Sequence, residues 1–197
     1  MNDYFATLGV ERRPWLDAEE LKDSFRRQAA EVHPDALGPG GRPVGEKSSF
    51  VDLNLAHRIL RDPGLRLGHL LELEAVVSEG GEGGVDGELG ALFMEVGGLS
   101  REVRLHVGRR NTVSSGLEKA LIASETASLI ERMERLSAAV EARWGNALED
   151  LRELDARWGR ERDQETVRNL ALLRRRFAVL TRWREQVGEC LFSLKTG

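Results

Sequence analysis

The stretch LKDSFRRQAAEVHPD, residues 21–35, determines the first structural prediction. Its apolar residues recur at steps of four, four and three, which places them on one face of a helix: Leu21, Phe25, Ala29 and Val32. The helix is expected to begin after Asp17, because Asp17 and Glu20 have the spacing of an N-terminal capping pair. It is expected to end near His33, since Pro34 disfavours helical geometry in the residue before it.

A second amphipathic helix is predicted after a loop. Residues 37–45 contain four Gly and two Pro, a composition typical of a flexible loop. From Ser48 or Ser49 to Asp62 the pattern predicts a helix with four inward residues: Phe50, Leu53, Ala56 and Leu60. A short leucine-rich helix, residues 65–73, is expected to pack back on this unit. Because the two helices that flank the loop must be antiparallel to share their apolar faces, the tripeptide His33-Pro34-Asp35, here called the HPD motif, lies between them.

The second half of the sequence predicts long helices. Residues 78–87 hold five Gly, which indicates a linker, and we predict domains at 1–75 and 88–197 joined by 76–87. The helix after the linker is expected to be weakened at Gly97-Gly98, where it can bend. Its apolar positions are Leu89, Leu92, Phe93 and Val96. A long stripe follows: Leu129, Met133, Leu136, Val140, Ala147, Leu151, Leu154 and Trp158. The last helix carries a similar stripe: Val167, Leu170, Leu173, Phe177, Leu180, Val187, Leu191 and Leu194.

The composition agrees with a helical protein. Of 197 residues, 31% are charged and only 6% are aromatic, a mixture typical of long amphipathic helices. The single cysteine, Cys190, can form neither an internal disulfide nor a cysteine-cluster zinc site. Since long apolar stripes can be buried only against each other, the predicted fold class is all-α, with an N-terminal helical hairpin and a C-terminal bundle of long helices.

The order of these features resembles the J-domain, in which the HPD motif joins helix two to helix three. The resemblance spans about residues 3–73. It implies that the HPD motif contacts the ATPase domain and interdomain linker of a DnaK-type chaperone. It also implies that three cations of the preceding helix meet acidic groups of that chaperone: Lys22, Arg26 and Arg27. A merely solvated face is the alternative for these cations, and a local loop turn is the alternative for the motif.

The resemblance extends to the HscB-type co-chaperones, which couple a J-domain to a C-terminal three-helix bundle and deliver the iron–sulfur scaffold protein to a dedicated chaperone. The segments that carry it are Asp3-Tyr4-Phe5, residues 54–63, residues 70–73 and Phe93-Met94-Glu95. It implies a scaffold-binding face of five residues: Leu92, Phe93, Met94, Glu95 and Phe177. Ordinary bundle core is the alternative for the apolar members.

The chain also departs from that family. Gly97 and Gly98 stand where the family has an apolar and an acidic residue, and extra sequence occurs around residues 107–124. Val32 replaces the common tyrosine before the HPD motif, and Ala36 replaces the common lysine after it. The two glycines and the extra sequence bear on the identity of the client. Val32 and Ala36 bear on the strength of the chaperone contact.

No enzyme is expected, because the HPD motif has no accompanying nucleophile, phosphate-binding loop or metal-ligand pattern. No cofactor and no metal are expected, and the net charge of −4 argues against a nucleic-acid partner. The start of the chain predicts no signal peptide and no stretch is apolar enough to span a membrane, so a cytoplasmic protein is expected. The leading prediction is a co-chaperone that stimulates a DnaK/HscA-type ATPase. The alternatives are a J-domain protein for another client and a helical adaptor without ATPase stimulation.

Overall fold

The computed structural model describes residues 2–32, 49–74, 87–160 and 163–196. Within these ranges the chain forms seven α-helices and no strand, which confirms the predicted all-α class. The helices are α1 Tyr4–Leu8, α2 Ala18–Val32, α3 Phe50–Arg61, α4 Pro63–Leu73, α5 Gly87–Arg110, α6 Gly116–Trp158 and α7 Gln164–Lys195. The HPD motif, the predicted loop at 37–45 and the predicted linker up to Asp86 lie outside the described residues.

Side-chain caps fix where the short helices begin. The carboxylate of Asp17 accepts hydrogen bonds from the backbone N–H groups of Glu19 and Glu20, at 2.9 and 3.1 Å. Ser49 and Asp52 form a reciprocal capping box at the start of α3. Such caps satisfy backbone donors that have no partner within the helix, so each predicted helix start coincides with a polar residue.

The chain divides into two compact units. The first contains Met1–Gly81 and Leu148–Arg176, so it combines α1 to α4 with parts of α6 and α7. The second contains Glu82–Ala147 and Phe177–Gly197, so it combines α5 with the other parts of α6 and α7. Both long helices, α6 and α7, therefore contribute residues to both units. The prediction of domains at 1–75 and 88–197 did not include this sharing of helices.

The cores follow the predicted stripes closely. All eight stripe residues of α6 are buried, and six of the eight on α7 are buried while Val167 and Leu191 are half-buried. The inward assignment of Phe50 is wrong, because its side chain is 53% exposed. Phe50 is the first residue of α3, and Leu53, Ala56 and Leu60 are the residues of that helix that are buried. The Gly97-Gly98 pair does not interrupt α5, which is continuous from Gly87 to Arg110.

None of the helices among the described residues is long and apolar enough to cross a membrane.

Candidate chaperone-binding and client-binding surfaces

Helices α2 and α3 hold the two ends of the segment that contains the HPD motif. Helix α2 ends at Val32 and α3 begins at Phe50. The two helices pack against each other and against α1. Leu21 and Leu53 are buried, and the ring centroids of Phe25 and His57 are 4.7 Å apart. Helix α2 thus ends directly before the HPD motif, which itself lies outside the described residues.

The predicted cations of α2 differ in their pairing. Lys22 forms an ion pair with Glu19 at 3.0 Å, and Arg26 forms one with Asp23 at 3.5 Å, both within the helix. Arg27 is exposed and forms no ion pair with any described residue. Exposed intrahelical pairs contribute well under about 1 kcal/mol, so a partner's carboxylates can displace them at little cost. Arg27 is already available to such a partner.

Arg26 and Arg27 also line an open groove of about 750 Å³ beside α2. The opposite wall comes from the segment between α1 and α2 and includes Gly9, Glu11 and Arg13. Because Glu20 and Asp23 share the groove with the arginines, its surface is of mixed charge rather than uniformly basic.

A buried polar cluster anchors the segment before α2 to the end of α6. Asp155 is 6% exposed, and its carboxylate accepts hydrogen bonds from the backbone N–H of Trp15 at 2.9 Å, from Nε of Arg13 at 3.2 Å and from Nη2 of Arg13. The hydrogen bond to Asp155 raises the pKa of Arg13. The guanidinium of Arg152 lies 4.3 Å from the centre of the Trp15 ring. This cluster fixes the surface of the first unit next to α2.

Arg66 is buried beside this cluster. It donates hydrogen bonds to the carbonyl oxygens of Pro14 at 2.7 Å and Leu60 at 2.6 Å. Burial lowers the pKa of Arg66 to about 10, against the opposing effect of the carboxylates of Asp62 and Asp155. Arg66 therefore stays protonated at neutral pH and satisfies two buried carbonyls, as buried polar groups require.

His69 has a related structural role in α4. Its Nε2 accepts a hydrogen bond from the backbone N–H of Tyr4 at 3.1 Å, so this nitrogen carries no proton. Burial lowers the pKa of His69, which favours the same neutral form. The ring also lies against Tyr4 and Phe5, with centroids at 4.5 and 5.7 Å. His69 is thus a packing residue.

Sequence reasoning missed Asp155 and Arg66 as determinants of this surface. The sequence did hold one signal. Asp155 lies four residues after Leu151, so it shares the helix face of the apolar stripe although it is charged. An ionisable residue at such a position is buried only when partners satisfy it. Which residues those partners are depends on packing between segments far apart in the chain.

The residues of the predicted client-binding face fall into two groups. Phe93 is 59% exposed and Met94 is 72% exposed, and Glu95 is also exposed. Leu92 and Phe177 are buried, so the structure does not support direct contact of these two with a client. The Phe177 ring packs edge-on against Trp144 at 5.0 Å between centroids, inside the core of the second unit.

Comparison with known proteins matches the first half of the chain. Residues 3–68 match the DnaJ domain family. Chaperone protein DnaJ 1 of Synechocystis sp. is 37% identical over 84 residues, which cover 43% of this chain and 21% of that protein. Protein NolC of Rhizobium fredii is 37% identical over 81 residues, which cover 41% and 19%. The chain thus spans about a fifth of the length of these relatives.

One solved structure matches almost the whole chain. Chaperone HscB from Vibrio cholerae superposes with a TM-score of 0.54 and 18% sequence identity, over 95% of this chain and 96% of that one. At this identity the likeness concerns the fold. Residues 3–68 are thus similar in sequence to the DnaJ domain, and over almost its whole length the chain has a fold similar to that of HscB.

Proposed function

We propose that this chain is a co-chaperone that binds a DnaK-type ATPase chaperone through the HPD motif and α2 and stimulates its ATP hydrolysis. The observation that carries the proposal is the intact HPD motif between two helices that pack as a J-domain requires, within the region that matches the DnaJ domain family. Arg27, which is exposed and pairs with none of the described carboxylates, supports it, because exposed cations steer association with an acidic surface.

ATP turnover by a purified DnaK-type chaperone from the same organism tests this proposal. Wild-type protein should raise the steady-state rate, and Asp35→Asn should abolish the increase, because the substitution removes the carboxylate of the HPD motif and keeps its size. Asp150→Asn is a matched control, since Asp150 forms an exposed ion pair with Arg176 on α6 and α7; it should stimulate like wild type. Absence of stimulation by the wild-type protein would reject the proposal and favour an adaptor without this activity.

We further propose that the client is the iron–sulfur cluster scaffold protein and that it binds the second unit. The HscB-like fold and the exposed Phe93 and Met94 support this assignment. Large apolar side chains left in water often mark a protein interaction surface. Leu92 and Phe177, which are buried, would then support this face from within the core.

Titration calorimetry with the purified scaffold protein tests the client assignment. Phe93→Ser should weaken binding at least about tenfold, a loss of about 1.4 kcal/mol, because it removes an exposed apolar anchor. Phe192→Ser is the matched control, since Phe192 is also a strongly exposed phenylalanine of the second unit, on α7; it should bind as wild type does. Equal affinities for wild type and Phe93→Ser would contradict the assigned face.

A J-domain protein for a different client is the second candidate. Gly97 and Gly98 favour it, because a Cβ added at either position would meet nothing within 4 Å. The surface is therefore open where the HscB family usually presents two side chains. Stimulation of the chaperone without binding of the scaffold would select this candidate.

A further inference from the structure

Helix α5 has an outward stripe that no described element covers. Successive residues of an α-helix are turned by about 100°, so residues 94, 98, 101, 105 and 108 share one face, with 97 at its edge. Val96, Leu99, Val103 and His106 point to the opposite side and are buried. We call the following residues the outward stripe: Met94, Gly97, Gly98, Arg101, Leu105 and Gly108.

The outward stripe carries two strongly exposed apolar side chains and three glycines. Met94 is 72% exposed and Leu105 is 64% exposed, and between them lie glycines whose backbone is open to solvent. The stripe is about 20 Å long, which corresponds to roughly four helical turns. An apolar strip of this length on a chain that is 31% charged is a feature expected of an interaction surface.

Arg101 supplies the only charge of the outward stripe. Two other charged residues of α5 are neutralised locally, since Glu102 pairs with Arg132 at 2.7 Å and Arg109 pairs with Glu125. Arg101 forms no ion pair with any described residue, and neither does Arg104 one turn further along α5. The stripe therefore presents unneutralised positive charge among apolar atoms, so a complementary partner brings a carboxylate to this point.

We propose that the outward stripe binds an amphipathic helical segment of a partner protein, with apolar side chains over Met94 and Leu105 and a carboxylate against Arg101. This inference rests on the proposed client-binding role of the second unit and deepens it by specifying the chemistry of the client. Gly97 and Gly98 let the partner's helix approach the α5 backbone closely, because glycine has no Cβ and the space outside both positions is open.

Charge argues against a second copy of the chain as the occupant. In a two-fold pairing the same patch meets itself, so two stripes laid together would place like charges, Arg101 and Arg104 of each copy, along one shared interface. Like charges in an interface are destabilising unless they are separated or neutralised. An acidic partner removes this conflict, and a second copy does not.

Two designed peptides test the proposal with the full-length protein. One is a fluorescein-labelled amphipathic helix of leucine, alanine and glutamate, and the other has lysine in place of every glutamate. Fluorescence anisotropy should show that the acidic peptide binds at least about tenfold more tightly than the basic one, and Arg101→Glu should reverse the preference. Equal binding of both peptides, or binding of neither, would overturn the proposal.

A pair of glycine substitutions tests the close approach. Gly98→Gln should weaken binding of the acidic peptide about fivefold or more, because the added side chain stands on the outward stripe. Gly188→Gln is the matched control on α7, since Gly188 is also exposed and an added Cβ there meets nothing within 4 Å. Both substitutions replace a helical glycine by a better helix former, so both proteins should be at least as stable as wild type. Equal binding by the two variants would overturn the proposed approach over Gly98.

The ATPase measurement keeps the two proposals apart. Asp35 and the outward stripe belong to different units, so Arg101→Glu should leave stimulation of the chaperone by the client-free protein unchanged. Peptide binding that fails while stimulation persists would reject the outward stripe as a docking site and leave the co-chaperone proposal intact. Peptide binding that succeeds without stimulation of the chaperone would reject the co-chaperone proposal and keep the outward stripe as a docking site.

Discussion

The carboxylate of Asp155 accepts three hydrogen bonds from Arg13 and Trp15, which lie 142 and 140 positions earlier in the chain. Two of the donors belong to a guanidinium that is partly exposed and one is a backbone N–H. Hydrogen bonds to a charged group each contribute about 1.5 to 3 kcal/mol, and the buried carboxylate would be unstable without them. A single side chain therefore connects the segment before α2 to α6.

Asp155→Asn should lower the free energy of unfolding by about 2 kcal/mol, because an amide forms weaker hydrogen bonds to Arg13 and turns a donor toward one of its three partners. Urea denaturation of the full chain, followed by tryptophan fluorescence, measures the change. Asp150→Asn, which affects an exposed pair with Arg176, should cost less than about 1 kcal/mol. Equal losses of unfolding free energy in the two variants would show that the buried hydrogen bonds of Asp155 stabilise the protein no more than an exposed ion pair does.

At the scale of the helix, the caps and stripes decide where each element begins and which side is buried. The α3 capping box is the clearest case, with Oγ of Ser49 accepting from the Asp52 N–H at 3.2 Å and the Asp52 carboxylate accepting from the Ser49 N–H at 3.1 Å. The box lies directly after the segment that contains the HPD motif. The start of α3 is therefore one of the two described ends of that segment.

Ser49→Ala should destabilise the protein by about 1 kcal/mol, the usual cost of removing an N-cap side chain. Hydrogen exchange at the first amides of α3 should accelerate before exchange elsewhere in that helix. Ser128→Ala on α6 is the control, because Ser128 is exposed within a helix interior; there alanine is the better helix former. If exchange at the start of α3 is unchanged in Ser49→Ala, the capping box does not hold this helix end.

Sequence patterns predicted the elements well where a period repeats many times. The α6 stripe recurs over a helix of 43 residues, so each buried position is supported by its neighbours at three and four residues. Phe50 and Phe93 are different, since each lies at the end or flank of a stripe, where hydrophobicity alone does not reveal whether another helix covers the side chain. For the same reason the sequence could not separate the exposed Phe93 and Met94 from the buried Leu92 and Phe177.

At the scale of the molecule, the first unit is not continuous in sequence. It takes Leu148–Arg176 from the second half of the chain, and the bonds from Arg13 and Trp15 to Asp155 are part of what joins the two pieces. A fixed period within a helix predicts which face is buried, but it does not predict which distant segment will lie on that face. The predicted linker at 76–87 was inferred from glycine-rich composition, which carries no information on the later segment that completes the first unit.

A fragment of residues 1–81 should be less stable than the same segment within the full chain, because it lacks Asp155 and the buried residues of α6 and α7. Hydrogen exchange of the amides in α3 and α4 measures this difference, and protection should fall by at least about tenfold, which corresponds to roughly 1.4 kcal/mol. Full-length Asp155→Asn should show an intermediate loss of protection. Equal protection in the fragment and the full chain would show that residues 148–176 do not stabilise α1 to α4.

The pairing of Arg13 with Asp155, 142 positions apart, has a consequence for biosynthesis. A ribosome adds about 5 to 20 residues per second, so roughly 7 to 30 seconds separate the translation of these two residues. During that interval the nascent N-terminal segment has emerged without its carboxylate partner. The segment can complete its native set of contacts only after translation has passed Asp155.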